Sequence, residues 1–123
     1  MFNLQQDAGL EQLATWTGQV PITYFDDSER QRAYGSFVDS AAIIANLDLV
    51  VSCDSAMLHV AGAMGKPVFL ALPFLGDWRW MNDPERTVWY DCVRMFRADL
   101  QGGWQAVMER IALTIMDESI HKI

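Results

Sequence analysis

Hydrophobic positions recur at two periods along the chain. Met1-Phe2-Asn3-Leu4-Gln5 predicts a short strand, and Asp7 then caps a helix whose apolar positions Leu10, Leu13 and Ala14 fall at helical spacing. Gly18 and Pro21 end it. Ile22-Thr23-Tyr24-Phe25 predicts a second strand that stops at Asp26-Asp27, with a turn of helix over Ser28 to Tyr34 before Gly35. Ser36-Phe37-Val38-Asp39 has the spacing of a capping box, in which hydroxyl and carboxylate satisfy each other's orphan backbone N–H groups, and a helix through about Asn46 follows.

Leu47-Asp48-Leu49-Val50-Val51-Ser52 is a nearly continuous apolar run, as expected of a parallel strand covered on both faces, and is predicted to be central in its sheet. Asp54 or Ser55 is placed to cap the next helix, with Asp54 the expected cap. This helix runs through Met64 and stops at Gly65 before Pro67. Val68-Phe69-Leu70-Ala71-Leu72 is the following strand. After Pro73 comes a long loop rich in aromatics (Phe74, Trp78, Trp80, Trp89, Tyr90). Cys92 to Phe96 reads as a last strand, and Gly102-Gly103 precedes a helix with Trp104, Val107, Met108, Ile111 and Ile115 on one face. Helices alternating with short buried strands predict an α/β fold, a Rossmann-like open parallel sheet with helices on both faces.

Length and composition narrow the function classes. At 123 residues and 51% hydrophobic, the chain is expected to form a single domain, 1–123, with a real core. No apolar run reaches the ~18 residues of a membrane span and no signal-peptide pattern opens the chain, which predicts a cytoplasmic protein without a transmembrane segment. Cys53 and Cys92 stand far apart without metal-binding spacing and read as free thiols. A net charge of −7 opposes broad contact with nucleic acid, so an anionic ligand needs a local site.

The turn Ser52-Cys53-Asp54-Ser55-Ala56 is that candidate. In an open α/β sheet, ligands bind beyond the carboxyl ends of the strands, where helix N-termini present unpaired N–H groups. Ser55 adds a hydroxyl, and small residues allow a phosphate to approach the backbone. His59, four residues on, shares the helix face of Ser55; its other reading is a half-buried histidine bonded to a neighbouring strand. Arg79 lies at the same sheet edge and suits a diphosphate; the alternative is a surface arginine packed on Trp78 or Trp80. The tryptophans either stack on a base or seal the end of the sheet. Lys66 follows a helix C-terminus and belongs to the opposite edge. The chain has no Gly-x-Gly-x-x-Gly, Walker lysine or Gly-x-Ser-x-Gly elbow, and Asp26-Asp27 reads as a solvated turn, not a metal site.

Ser40 to Ser52, followed by Asp54-Ser55-Ala56-Met57-Leu58-His59-Val60-Ala61-Gly62-Ala63 and Gly65-Lys66-Pro67-Val68, resembles the C-terminal signature of glycosyltransferase family 9, the heptosyltransferase-like family. Pro73 to Trp80, Trp89-Tyr90 and Arg94 to Arg97 are more similar to the branch found at the end of bacterial tetratricopeptide-repeat proteins. The resemblance covers about residues 36 to 110. It implies the C-terminal half of a GT-B glycosyltransferase, binding a nucleotide-diphosphate sugar as substrate without metal or cofactor. Asp54, Ser55 and Ala56 would be the donor-phosphate turn, His59 the motif histidine, and Asp39 an acidic helix-start position often Glu in heptosyltransferases. This chain has Ser55-Ala56 where Thr-Gly is usual. The acceptor domain and its catalytic base are expected before Met1 or on a partner chain. No catalytic residue is therefore assigned here, and a non-catalytic assembly module that self-associates is the alternative.

Overall fold

The computed structural model describes residues 1–4, 10–24 and 37–121. They divide into two compact units, Met1–Ser40 and Ala41–Ile123. The first contains β1 (Phe2–Asn3), α1 (Leu10–Ala14) and β2 (Thr23–Tyr24), the strands pairing in parallel with Phe2 opposite Thr23. The Leu13 carbonyl accepts the Trp16 amide at 3.1 Å and the Tyr24 hydroxyl at 3.4 Å. The Trp16 indole donates to the Val20 carbonyl at 3.0 Å, closing the turn that holds Gly18. The expected Asp7 cap, the Asp26-Asp27 turn, the helical turn over 28–34 and the Ser36 half of the capping box lie outside the described residues.

The boundary between units falls inside α2 (Val38–Ala45), which carries Asp39 in its first turn. The second unit then runs β3 (Val50–Ser52), α3 (Ala56–Ala63), β4 (Val68–Leu72), a 3-10 turn (Trp78–Trp80), β5 (Val93–Arg97) and α4 (Gly103–His121). Its sheet has the order β3-β4-β5, all parallel, with Val50 opposite Val68 and Val68 opposite Val93. This is a Rossmann-like open sheet, with helices on both sides. β3 was expected to be central; among the described residues it pairs only with β4, and β4 is the central strand, buried at all its positions. A continuous apolar run is common to both strands, so the run alone did not separate them.

The two faces of β4 follow from strand alternation. Phe69 and Ala71 join Phe96, Ala98, Val107 and Ile111 in one core layer beneath α4. Val68, Leu70 and Leu72 point to the opposite face, the side on which α3 buries Leu58 and Ala61. On α4 the buried stripe is Val107 and Ile111, fully or nearly fully covered, with Ile115 partly so. Trp104 and Met108, expected on that stripe, are half exposed, because they form the adjoining i, i+4 row at its margin.

β4 returns to β5 without an α-helix, through residues 73–92. Part of this crossover lies along the outer edge of β5: the Met95 amide donates to the Glu85 carbonyl at 2.8 Å, and Arg86 makes an antiparallel bridge with Arg94. The Arg94 guanidinium stands 3.8 Å from Glu85 and 3.9 Å from Glu118. An edge so covered is closed to further strand pairing.

Candidate functional site

Parallel strands bring the residues after β3, β4 and β5 to one edge of the sheet, so the turn before α3, the 3-10 turn and the end of β5 are neighbours. Lys66 is at the other edge, as expected: its Nζ donates to the Leu47 carbonyl, ahead of β3, at 3.2 Å.

Ser55 is the N-cap of α3 by backbone conformation, yet its side chain makes no cap hydrogen bond. The Ser52 hydroxyl donates to the Cys53 carbonyl at 2.8 Å and lies 3.0 Å from the Ser55 hydroxyl. With its one proton used on Cys53, Ser52 is the acceptor and Ser55 the donor in that contact. Among the described residues the first N–H groups of α3 are thus left without a side-chain cap, the arrangement that favours an anion at a helix start.

Asp54 was the expected cap, and this is corrected: its carboxylate turns to the 3-10 turn. Oδ2 accepts the Trp80 indole N–H at 2.9 Å, while Oδ1 stands 3.8 Å from His59 Nε2 and 3.9 Å from an Arg79 nitrogen. A charged partner on an indole donor outweighs a cap, because it satisfies a polar hydrogen that Trp80, 1% exposed, would otherwise bury unpaired. His59 stacks on the Trp80 ring at 5.8 Å between centroids and 18° between planes. Its Nδ1 is 3.0 Å from the Tyr90 hydroxyl. The histidine therefore bonds to the crossover, not to a neighbouring strand. Ser55 and His59 make no hydrogen bond with each other among the described residues, so the nucleophile–base contact a serine hydrolase requires is not formed.

Arg79 is held by Asp77. Its Nε and Nη2 reach the Asp77 carboxylate at 2.9 and 3.3 Å, and its backbone amide reaches the same Oδ1 at 3.1 Å. The backbone bond from Arg79, then its side chain, lowers the Asp77 carboxyl below the usual aspartate range; the Asp77 hydrogen bond in turn raises the basicity of the guanidinium. Of the two roles open to the tryptophans, Trp80 seals the end of the sheet, whereas Trp78 is 78% exposed.

The structure thus brings Asp54, His59 and Arg79 together, with Ser55 and Ala56 on the turn beside Asp54, all within the second unit. Asp39 belongs to the first unit. Sequence reasoning missed Asp77, Tyr90 and the Asp54–Trp80 pairing. The Asp77-Trp78-Arg79 spacing signals a capped turn; nothing local signals Tyr90, which reaches His59 only through the fold. Among the described residues no group of three or more His, Cys, Asp or Glu side chains is placed to hold a metal, and no helix is long and apolar enough to cross a membrane.

A parallel α/β sheet with a helix-start turn at its carboxyl edge is a frame in which α/β proteins bind ligands, and part of this chain is similar to a known family. Residues 36–72, from the helix start through β4, match the model of glycosyltransferase family 9 (heptosyltransferase), so the resemblance read in the sequence holds over the segment that carries the turn. The chain is also similar to Protein FlbA of Caulobacter vibrioides, 35% identical over 79 residues, which is 64% of this chain and 13% of that protein. The chain thus spans a small part of the length of the relative it matches. No solved structure matches it.

Proposed function

We propose that the Ser52–Ala56 turn binds the diphosphate of a nucleotide-sugar donor, as the donor half of a metal-independent glycosyltransferase of GT-B type. The observation that carries this reading is the family 9 match over residues 36–72, which contains the turn and the uncapped start of α3. On this reading the N–H groups at the start of α3 and the Ser55 hydroxyl meet the phosphates, and Arg79 supplies the opposing positive charge. Asp54, already bonded to Trp80, keeps its carboxylate off the phosphate path and leaves Oδ1 for a hydroxyl of the donor. An acceptor domain, with the catalytic base, is supplied by another part of a longer protein or by a partner chain.

Titration calorimetry with ADP, UDP and GDP tests the reading. Saturable heat with at least one is expected at concentrations up to about millimolar, lost in Ser55→Trp, whose indole fills the turn. No heat with any of the three, from a folded chain, overturns it.

A second reading, a non-catalytic assembly module, draws on the exposed apolar residues of the crossover, where Leu75 is 85% and Trp78 78% exposed. It predicts association that rises with concentration in sedimentation. A chain that stays monomeric and binds nucleotide excludes it.

A further inference from the structure

Among the described residues, no backbone N–H binds the carbonyls at the end of the 3-10 turn that carries Arg79 and Trp80. Within the turn, the Trp80 amide donates to Asp77 and the Met81 amide to Trp78. The carbonyls of Arg79, Trp80 and Met81 are then bound by side chains from later in the chain. The Trp89 indole donates to Arg79 at 2.9 Å, and one nitrogen of Arg97 donates to Trp80 at 3.2 Å and to Met81 at 2.9 Å. Met81 holds φ at +47°, a left-handed conformation that is unfavourable for methionine and that these bonds offset. Arg97 is itself fixed: it is the last residue of β5, Ala98 beside it donates to the Leu72 carbonyl at 2.8 Å, and a side chain at Gly76 would press on its guanidinium, the Cβ falling 3.0 Å from Nη1. Among the described residues its buried Nε has no hydrogen-bond partner, a cost that a surface arginine would shed by turning outward.

We infer that Arg97 is a positioning residue for the site: by binding the Trp80 and Met81 carbonyls it sets the turn at the height from which the Trp80 indole reaches Asp54. Among the described residues it makes no hydrogen bond with Asp54 or with the start of α3. It acts through the Trp80 backbone, and Trp89 holds the preceding carbonyl of the same turn. The role stands whichever ligand the site takes.

The test is the indole N–H resonance of Trp80 in the 15N-labelled full chain, assigned by its disappearance in Trp80→Phe. In folded Arg97→Ala, this resonance is expected to move in the direction it moves in Asp54→Asn, and its hydrogen exchange to quicken about tenfold or more. Arg97→Lys, which keeps a cation with donors for the two carbonyls, is expected to restore part of the shift. A wild-type resonance and exchange rate in folded Arg97→Ala overturns the proposal. Where Arg97→Ala does not fold, Arg97→Gln replaces it: the uncharged amide must displace the resonance further than lysine does, and wild-type positions in both variants overturn the role. Calorimetry with ADP, UDP and GDP on the same variants separates this from the donor-site reading. A displaced resonance with no binding of any of the three by the wild type sinks that reading and leaves the positioning role intact.

Discussion

Asp54 accepts the indole N–H of Trp80 at 2.9 Å, joining the turn after β3 to the turn after β4. Trp80→Phe keeps most of the buried ring and removes the donor. The bond is to a charged acceptor that is about one third exposed, so the expected loss is about 1 to 2 kcal/mol in urea unfolding. Trp80→Ala adds a cavity and is expected to cost about 3 to 5 kcal/mol. Equal losses in the two variants would mean that the bond, and not the ring, joins the turns, and no loss in Trp80→Phe would mean the reverse.

Gly62 of α3 lies against the Tyr90 ring, and an added Cβ would stand 2.8 Å from its Cγ. Alanine in mid-helix normally gains up to about 1 kcal/mol over glycine. Overpacking costs about 1 to 3 kcal/mol, so Gly62→Ala is expected to destabilise on balance. In a Tyr90→Ala background the ring is gone and Gly62→Ala should no longer destabilise, a non-additivity that thermal denaturation of the four chains reads directly.

The carboxyls of Asp77, Asp83 and Asp99 are each lowered, in every case first by backbone N–H groups: from Arg79 at Asp77, from Arg86 and then Glu85 at Asp83, and from Gly102 and then Gln101 at Asp99. A carboxyl depressed in the folded state contributes stability above its unfolded value and loses it as pH falls through the folded one. Stability is therefore expected to hold at neutral pH and to fall on acidification through and below the ordinary aspartate range. Asp77→Asn should flatten that acid limb in urea midpoints taken across pH, and an unchanged limb speaks against the Asp77 contribution.

The two rows of α4 predict a contrast. Ile111→Ala, in the covered core, is expected to cost about 2 to 4 kcal/mol. Trp104→Ala, half exposed at the margin, is expected to cost far less, about 1 kcal/mol or below. Comparable losses at both positions would place Trp104 in the core as well.

Ala56 opens α3 where a glycine would admit a phosphate more closely. On the donor-site reading, Ala56→Gly raises the affinity for the nucleoside diphosphate that the calorimetry selects, with a stability cost of no more than about 1 kcal/mol. Weaker binding by a folded Ala56→Gly counts against phosphate contact at that backbone.

The open parallel sheet, the α3 boundaries and the placement of Lys66 at the far edge were legible in the amino-acid order, because each rests on local rules: alternating and continuous apolar runs, a glycine stop, a proline that cannot extend a helix. The Ser52–Ala56 turn followed from the same rules, since a strand running into a helix places that turn at the sheet's carboxyl edge whatever surrounds it. Partners were not legible. Asp54 has two local uses open to it, a cap on α3 or a distant donor, and the choice depended on Trp80 arriving 26 residues later with a buried indole hydrogen to satisfy. The same holds for Tyr90 against His59 and Arg97 against the carbonyls of Trp80 and Met81. The local pattern of the chain determined where the carboxyl edge of the sheet lies; which side chains meet there was decided by tertiary packing, because hydrogen bonds across a sheet end depend on distances that no spacing in the chain encodes.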